Sequence, residues 1–161
     1  MGKGRRTGWN EREDATANAR RELPRLAAEY FARVRRVLEK EPSPEKLHRL
    51  RLATKRLRYT LELFRPCYGP GLETRLAALR DIQQSLGEVN DCIATARMLP
   101  KSAPARAWLD RRTSAKAEEF RKRWAQEFGA PGQESRWTAY LSRNVRRSSV
   151  KSRPSADRPD R

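Results

Sequence analysis

A row of positively charged side chains lies within residues 47–64, whose sequence is LHRLRLATKRLRYTLELF. At about 100° per residue on a helix, His48, Arg51, Lys55 and Arg58 share one stripe, roughly 15 Å long. Guanidinium and ammonium groups at this spacing can contact successive oxygens of a chain of phosphates, and arginine can do so bidentately. We therefore expect this stripe to bind a polyanion.

The same segment also has an apolar side, which predicts that the cations are held on a helix packed against a core. The apolar side consists of Leu47, Leu50, Thr54, Leu57, Leu61 and Phe64. On the charged side, Arg51 with Lys55 and Lys55 with Arg58 are like-charge neighbours, each costing about 0.2–0.5 kcal/mol in an isolated helix. Glu62 is the one acid on the stripe, so the row suggests an anionic counterpart outside the chain.

The composition also favours anionic partners. Lysine and arginine total 37 against 20 acidic residues, for a formal net charge of +17 over 161 residues. Such an excess attracts nucleic acid, anionic lipid or polyphosphate without choosing among them. No apolar run approaches the ~20 residues of a membrane span, and residues 1–12 lack the apolar part of a signal peptide. We expect a cytoplasmic protein that does not enter a membrane.

The chain lacks the usual arrangements for catalysis and for metal binding. It has no glycine-rich phosphate loop and no nucleophile elbow. One histidine with Cys67 and Cys92 cannot supply four ligands to a structural zinc, and two cysteines do not make a disulfide framework. Arg49 and Arg51 beside His48 disfavour an imidazole base. We expect no catalytic residue, no metal and no cofactor.

Apolar residues recur at three- and four-residue intervals in four successive segments. These segments cover residues 23–41, 43–65, 72–99 and 102–128. Ser43 and Pro44 fit the N-cap and first turn of the second helix, and Ser102 fits the cap of the fourth. Gly87 lies inside the third segment and costs about 1 kcal/mol relative to alanine, which indicates close helix packing or a local break.

The expected fold is all-α, because no segment alternates apolar and polar residues as a strand does. Four helices with short turns predict an antiparallel four-helix bundle of long amphipathic helices. Residues 23–128 should form this domain. We expect a basic, mostly disordered segment before it, residues 1–22, and a basic, largely disordered tail after it, residues 129–161.

Side chains on the other helices could border the same stripe. The further candidate cations are Arg33, Arg112, Lys116 and Arg123, which would complete a positive groove if their helices face the same side. Asn90 falls in the apolar stripe of the third helix and Asp91 at its edge. A carboxylate repels phosphate, so we expect Asn90, Asp91 and Glu62 to act through the helices and cations around them.

Two motifs in this order and spacing resemble the CHAD family, the conserved histidine α-helical domain. The first motif consists of His48, Arg51, Lys55, Arg56, Leu57, Arg58, Tyr59 and Glu62. The second motif consists of Leu79, Ile82, Gln83, Leu86, Gly87, Asn90 and Asp91. The motifs cover residues 47–91, and the helical pattern extends the likeness over residues 23–128.

The resemblance implies an all-helical binder of inorganic polyphosphate, with basic side chains lining a central groove. It places His48, Arg51, Lys55, Arg56 and Arg58 in the anion-binding motif. The predicted function is therefore binding of polyphosphate without catalysis, in the cytoplasm and at polyphosphate granules. CHAD domains usually have two similar halves with a motif in each, whereas this chain has one motif of the second-half type. We expect a two-fold homodimer, in which the second chain supplies the second basic motif.

Two alternatives remain open at this point. A nucleic-acid-binding helical protein fits the net charge, although the stripe offers no Asn or Gln for adenine and only Tyr59 for base stacking. A metal-dependent phosphohydrolase would need carboxylates clustered around divalent ions, and the helical patterns show no such cluster.

Overall fold

The computed structural model describes residues 8–143, which form five α-helices and no strand. The helices are α1 (Ala15–Leu38), α2 (Pro44–Leu63), α3 (Gly71–Met98), α4 (Pro104–Glu127) and α5 (Gln133–Arg143). A 3₁₀ turn, Arg65–Cys67, separates α2 from α3. None of the five helices has both the length and the apolar character that a bilayer crossing requires. The all-helical class is confirmed for the part of the chain described.

The fifth helix corrects the prediction of four. It lies where a largely disordered tail was expected, and it is stabilised by contacts with residues distant in the chain. Trp137 and Leu141 are buried, and the Tyr68 hydroxyl donates a hydrogen bond to the Leu141 carbonyl at 2.8 Å. The Arg75 guanidinium lies 3.7 Å from the centre of the Tyr140 ring. The rest of the predicted tail, residues 144–161, lies outside the described residues.

The first helix begins well before the predicted start at Leu23, so residues 15–22 are helical. Asp14 caps the helix, its carboxylate accepting a hydrogen bond from the Ala17 N–H at 2.6 Å. The fully buried Asn18 side chain accepts from the backbone N–H of Asn10 at 2.8 Å and donates to its carbonyl at 2.9 Å. Side-chain hydrogen bonds thus order a polar segment that lacks hydrophobic periodicity. Residues 1–7 of the predicted disordered segment lie outside the described residues.

The starts of the next helices follow the sequence signals in part. Ser43 caps α2 as predicted, with its hydroxyl accepting a hydrogen bond from the Lys46 N–H at 3.3 Å, and Pro44 is the first helical residue. The predicted cap of α4 is wrong. Ala103 occupies the N-cap position and makes no side-chain cap bond, because the helix begins at Pro104.

The core lies between α1, α2, α3 and α4, with α5 against α1. Helix α2 packs against both α1 and α3, and α4 packs against α3. At the end near α5, four aromatic rings pack with centroids 5.4–5.9 Å apart, apart from one stacked pair at 4.6 Å. These rings belong to Phe31, Trp124, Phe128 and Trp137. Phe31 belongs to α1, Trp124 to α4 and Trp137 to α5, and Phe128 directly follows α4. The four rings therefore join α1, α4 and α5 at this end of the fold.

A buried polar contact joins α1 to α2. The Thr54 hydroxyl donates to the Leu50 carbonyl at 2.9 Å, so the Tyr30 hydroxyl, 2.9 Å from it, donates to Thr54. Both side chains are buried, and burial raises the pKa of Tyr30 far above its ordinary value. Burial therefore favours the protonated form of Tyr30, which is the form that donates this hydrogen bond.

We predict that Thr54→Val destabilises the protein by about 1–3 kcal/mol, because it leaves the buried Tyr30 hydroxyl without an acceptor. Tyr30→Phe should cost less, about 0.5–1.5 kcal/mol, since Thr54 keeps its bond to Leu50. The double variant should lose less than the sum of the two. Urea unfolding of all four proteins measures this coupling. Strictly additive losses would show that the two hydroxyls do not interact, and a larger loss in Tyr30→Phe than in Thr54→Val would contradict the direction of the hydrogen bond.

Candidate anion-binding groove

Three polar contacts join α2, or the 3₁₀ turn that follows it, to α3. From one end to the other, they are Arg65 with Glu73 (2.6 Å), Arg58 with Gln83 (3.0 Å) and Arg97 with Glu45 (2.8 Å). Residues at the end of α2 contact the start of α3, and the reverse holds at the other end. The two helices therefore run antiparallel in a fixed register.

A groove of about 440 Å³ lies between the start of α2 and the second half of α3. His48 and Arg51 line it from α2, and Asn90 and Asp91 line it from α3. The structure thus brings the first cations of one predicted motif against the last residues of the other. We call this cavity the α2–α3 groove.

Arg51 lies across α3 at Gly87. A Cβ atom added at Gly87 would be 3.7 Å from the Arg51 Nε atom, and α3 continues through this glycine without a break. The Arg51 Nε is buried and has no hydrogen-bond partner in the structure. A buried N–H without an acceptor costs about 1–3 kcal/mol, so the position of Arg51 against α3 is not stabilised by a hydrogen bond from its Nε atom within residues 8–143.

Arg58, at the other end of the predicted stripe, is already engaged. Its Nη1 atom donates to Glu62 at 2.5 Å, and its guanidinium lies 4.3 Å from the centre of the Tyr59 ring. Only 12% of the Arg58 side chain is exposed. The cation of Lys55 lies 5.5 Å from the same ring and forms no ion pair with any residue from 8 to 143. The stripe thus consists of a more open half around His48 and Arg51 and a braced half at Arg58.

Glu62, Asn90 and Asp91, which were predicted to act through the helices and cations around them, make different contacts. Glu62 pairs with a stripe cation, Arg58. Asn90 is half-buried and donates its amide hydrogen to the Leu86 carbonyl of its own helix at 2.7 Å. Asp91 is exposed, lines the groove and forms no ion pair within residues 8–143. The pairing expected between Asp91 and a stripe cation is therefore not observed.

The groove has a second carboxylate whose charge is balanced. The backbone N–H at its own position, the Ser43 hydroxyl and Arg97 together hold the pKa of Glu45 below its ordinary value. Glu45 therefore stays ionised but is paired. Asp91 is the carboxylate in the groove whose charge no described cation offsets within salt-bridge distance.

The candidate cations of α4 do not line the α2–α3 groove. Lys116 makes ion pairs with Glu119 at 2.8 Å and Glu88 at 2.9 Å, which raise the pKa of Lys116 and lower that of Glu88. Arg112 lies over the Trp108 ring at 5.3 Å, and the charge of Arg123 also lowers the pKa of Glu88. The structure does not place these three cations in one groove with the α2 stripe.

Arg33 and Arg56 lie on the other side of α2, where both line a recess of about 110 Å³ against α1. A larger cleft of about 450 Å³ adjoins it, and Arg36, Lys46 and Arg49 line this cleft with Arg33. Sequence reasoning did not identify Arg36, Lys46 and Arg49 as candidate site residues. The signal was present as a second cationic row on α2, formed by Lys46, Arg49 and Arg56 at helical spacing.

Within residues 8–143, no group of three or more His, Cys, Asp or Glu side chains is placed to hold a metal ion. Both cysteines are free thiols, Cys67 buried and Cys92 half-buried.

The fold and the groove define an all-helical protein with a cationic cavity between two antiparallel helices. The family model of the CHAD domain matches residues 5–100, which include α1, α2 and α3 and so both sides of the groove. The chain belongs to the CHAD domain family. No curated protein and no solved structure matches the chain.

We predict that Gly87→Ala raises the free energy of unfolding by about 1 kcal/mol, because alanine favours the helix interior and its Cβ fits beside Arg51. The matched substitution Gly71→Ala should destabilise, since its Cβ would lie 2.9 Å from a ring carbon of Tyr140. Urea unfolding measures both. Loss of stability in Gly87→Ala would show that this glycine is needed for closer packing than the structure contains.

Proposed function

We propose that this protein binds inorganic polyphosphate in the α2–α3 groove and performs no catalysis. The observation that carries the proposal is Arg51, which lines the groove beside His48 and keeps a buried N–H without an acceptor. Membership of the CHAD family supports it. The proposed location is the cytoplasm, including polyphosphate granules.

The roles of the residues in the groove, and of Lys55 and Arg58 farther along α2 beyond its lining, follow from their chemistry. Arg51 offers a guanidinium fork to phosphate oxygens, His48 donates a hydrogen bond at the start of the stripe, and Lys55 adds a point charge. Asp91 repels phosphate, so the polyphosphate chain should follow the α2 side of the groove. Arg58 contributes by bracing α2 against α3.

The energy of binding comes from relief of repulsion and from counterion release. Arg51 and Lys55 are in no ion pair in residues 8–143, so an incoming phosphate does not have to displace a carboxylate from them. Each neutralised phosphate releases condensed counterions, which makes the affinity fall steeply with salt. Arg58 and Lys116, by contrast, would have to leave Glu62 or Glu88 before they could make full contact with phosphate.

The structure weakens the case for nucleic acid as the ligand. Tyr59, the aromatic residue expected to stack with a base, is half-exposed. However, the cations of Lys55 and Arg58 lie over its ring, so a base would have to displace them. Stacking on aromatic rings is a main source of affinity for single strands, which this site does not offer.

We predict that Arg51→Gln with Lys55→Gln weakens polyphosphate binding roughly tenfold or more and lowers the slope of log affinity against log salt by about 2. Arg111→Gln with Lys122→Gln on α4 is the matched control, because it removes the same charge from exposed positions. Titration calorimetry with sodium polyphosphate at several salt concentrations measures affinity. Circular dichroism checks that helix content is unchanged.

Equal losses in the two variants would show that net charge, and not the groove, determines binding. Unchanged binding in the groove variant would place the contact elsewhere in the chain. Competition between polyphosphate and DNA at matched phosphate concentration tests the nucleic-acid alternative, which preferential binding of DNA would favour. Release of phosphate from polyphosphate with magnesium or manganese present would contradict a non-catalytic role.

We also propose that two chains associate about a two-fold axis when polyphosphate is present, since this chain carries one basic motif. Two α2 stripes facing each other would repel until an anion lies between them, so polyphosphate should favour the dimer. Light scattering should give twice the chain mass with polyphosphate. A monomeric mass both with and without polyphosphate would refute the dimer and leave the groove unaffected.

A further inference from the structure

A second cationic cavity lies on the opposite side of α2 from the α2–α3 groove. It is the cleft of about 450 Å³ between α1 and α2, lined by Arg33, Arg36, Val37, Lys46, Arg49 and Leu50. Four of these six side chains are cations and none is an acid. We call this cavity the α1–α2 cleft.

The cations of the α1–α2 cleft lack carboxylate partners, whereas nearby arginines of α1 have them. None of the four forms an ion pair within residues 8–143, and the Arg36 Nε reaches only the Ala32 carbonyl, at 3.4 Å. Other arginines of α1 do have carboxylate partners. Arg25 pairs with two glutamates of its own helix, and Arg35 pairs with Glu134 of α5. The four cations that line the cleft therefore have no carboxylate partner within residues 8–143, whereas Glu29 of α1 lines the adjoining recess.

The two cationic cavities share a lining residue. Arg49 lines both the α2–α3 groove and the α1–α2 cleft. Arg33 in turn lines both the α1–α2 cleft and the recess that contains Arg56 and Glu29. Arg49 therefore connects the cations on the α3 side of α2 to those on its α1 side, and together they form a cationic path around the first half of the helix.

We propose that the α1–α2 cleft is a second phosphate-binding site that takes up the next stretch of the same polyphosphate chain. This inference rests on the proposed function and extends it. A chain long enough to pass around α2 gains the second site at a high effective concentration. A chain that fills only the α2–α3 groove gains nothing from it. Affinity for a single polymer should therefore rise with chain length.

The shape of this cationic path favours a flexible linear polyanion over a duplex. A helix with its side chains is about 10–12 Å across, so the path turns sharply around α2. DNA bends smoothly only over lengths near its persistence length of about 50 nm, far larger than this turn. A linear phosphate chain has no stacked bases and no paired strand to resist the bend.

The test uses Arg36→Gln with Lys46→Gln in the full chain, since both side chains are exposed and neither lines the α2–α3 groove. The control is again Arg111→Gln with Lys122→Gln. Each protein is titrated with tripolyphosphate and with long-chain polyphosphate. We expect the cleft variant to bind the long chain roughly tenfold more weakly, with a salt slope lower by about 2, and to bind tripolyphosphate like the unmodified protein.

Three results would overturn the second site: unchanged binding of the long chain, an equal loss for both ligands, or the same loss in the control. Failure of the proposed function has a different signature. In that case the unmodified protein binds neither ligand, or Arg51→Gln with Lys55→Gln binds tripolyphosphate as tightly as the unmodified protein. Circular dichroism of each variant separates loss of binding from loss of fold.

Discussion

The register of α2 against α3 determines where the groove cations lie. Arg58 is the centre of this constraint, because it bonds to Glu62 within α2 and to Gln83 across the helix interface. With that contact made, Arg51 lies over Gly87 and His48 faces the Asn90–Asp91 end of α3. A shift of α2 by one helical turn, about 5.4 Å, would break the hydrogen bond between Arg58 and Gln83. The basic motif therefore contains both the groove cations and the contact that positions them.

The second constraint is the burial of one side of α2. Its buried residues are Leu47, Leu50, Thr54, Leu57 and Leu61. Because that side is occupied by the core and by the Tyr30 hydrogen bond, the charged positions fall on the two flanks of the helix. One flank meets α3 and the other meets α1. Like charges repel one another on each flank. Burying apolar surface in the core contributes about 25 cal/mol per Å², and this gain exceeds the cost of the repulsion.

Much of the architecture was predictable, since it depends on signals that are local in sequence. The α2 start follows from Ser43 and Pro44, and the spacing of buried leucines identifies α2 and α3. The two parts that were missed differ in their cause. Helix α5 is short and depends on distant residues, Tyr68 and Arg75, that contact it. The segment before α1 is ordered by local hydrogen bonds of the Asn18 side chain and the Asp14 cap, which hydrophobic periodicity does not register.

The candidate site was predictable in part for a related reason. Periodicity places His48 and Arg51 on one stripe, but it does not set how each helix is rotated about its axis. Rotation decides that Lys116 pairs with Glu88 and that Arg33 belongs to the α1 side. Lys46 and Arg49 form a second row with Arg56 at helical spacing, but periodicity alone does not show that this row lines a cleft against α1.

The α2–α3 contacts and the α1–α5 contacts close loops of very different length. The α2–α3 groove is lined by residues 44–97 alone, joined by one short turn. The contacts of α1 with α5, such as the Arg20 side chain with the Ser142 carbonyl at 3.1 Å, span 122 residues. Loop-closure entropy grows with the logarithm of loop length, and local contacts generally form faster. The groove is therefore the kinetically local part of the molecule, and the docking of α5 is the closure that completes it.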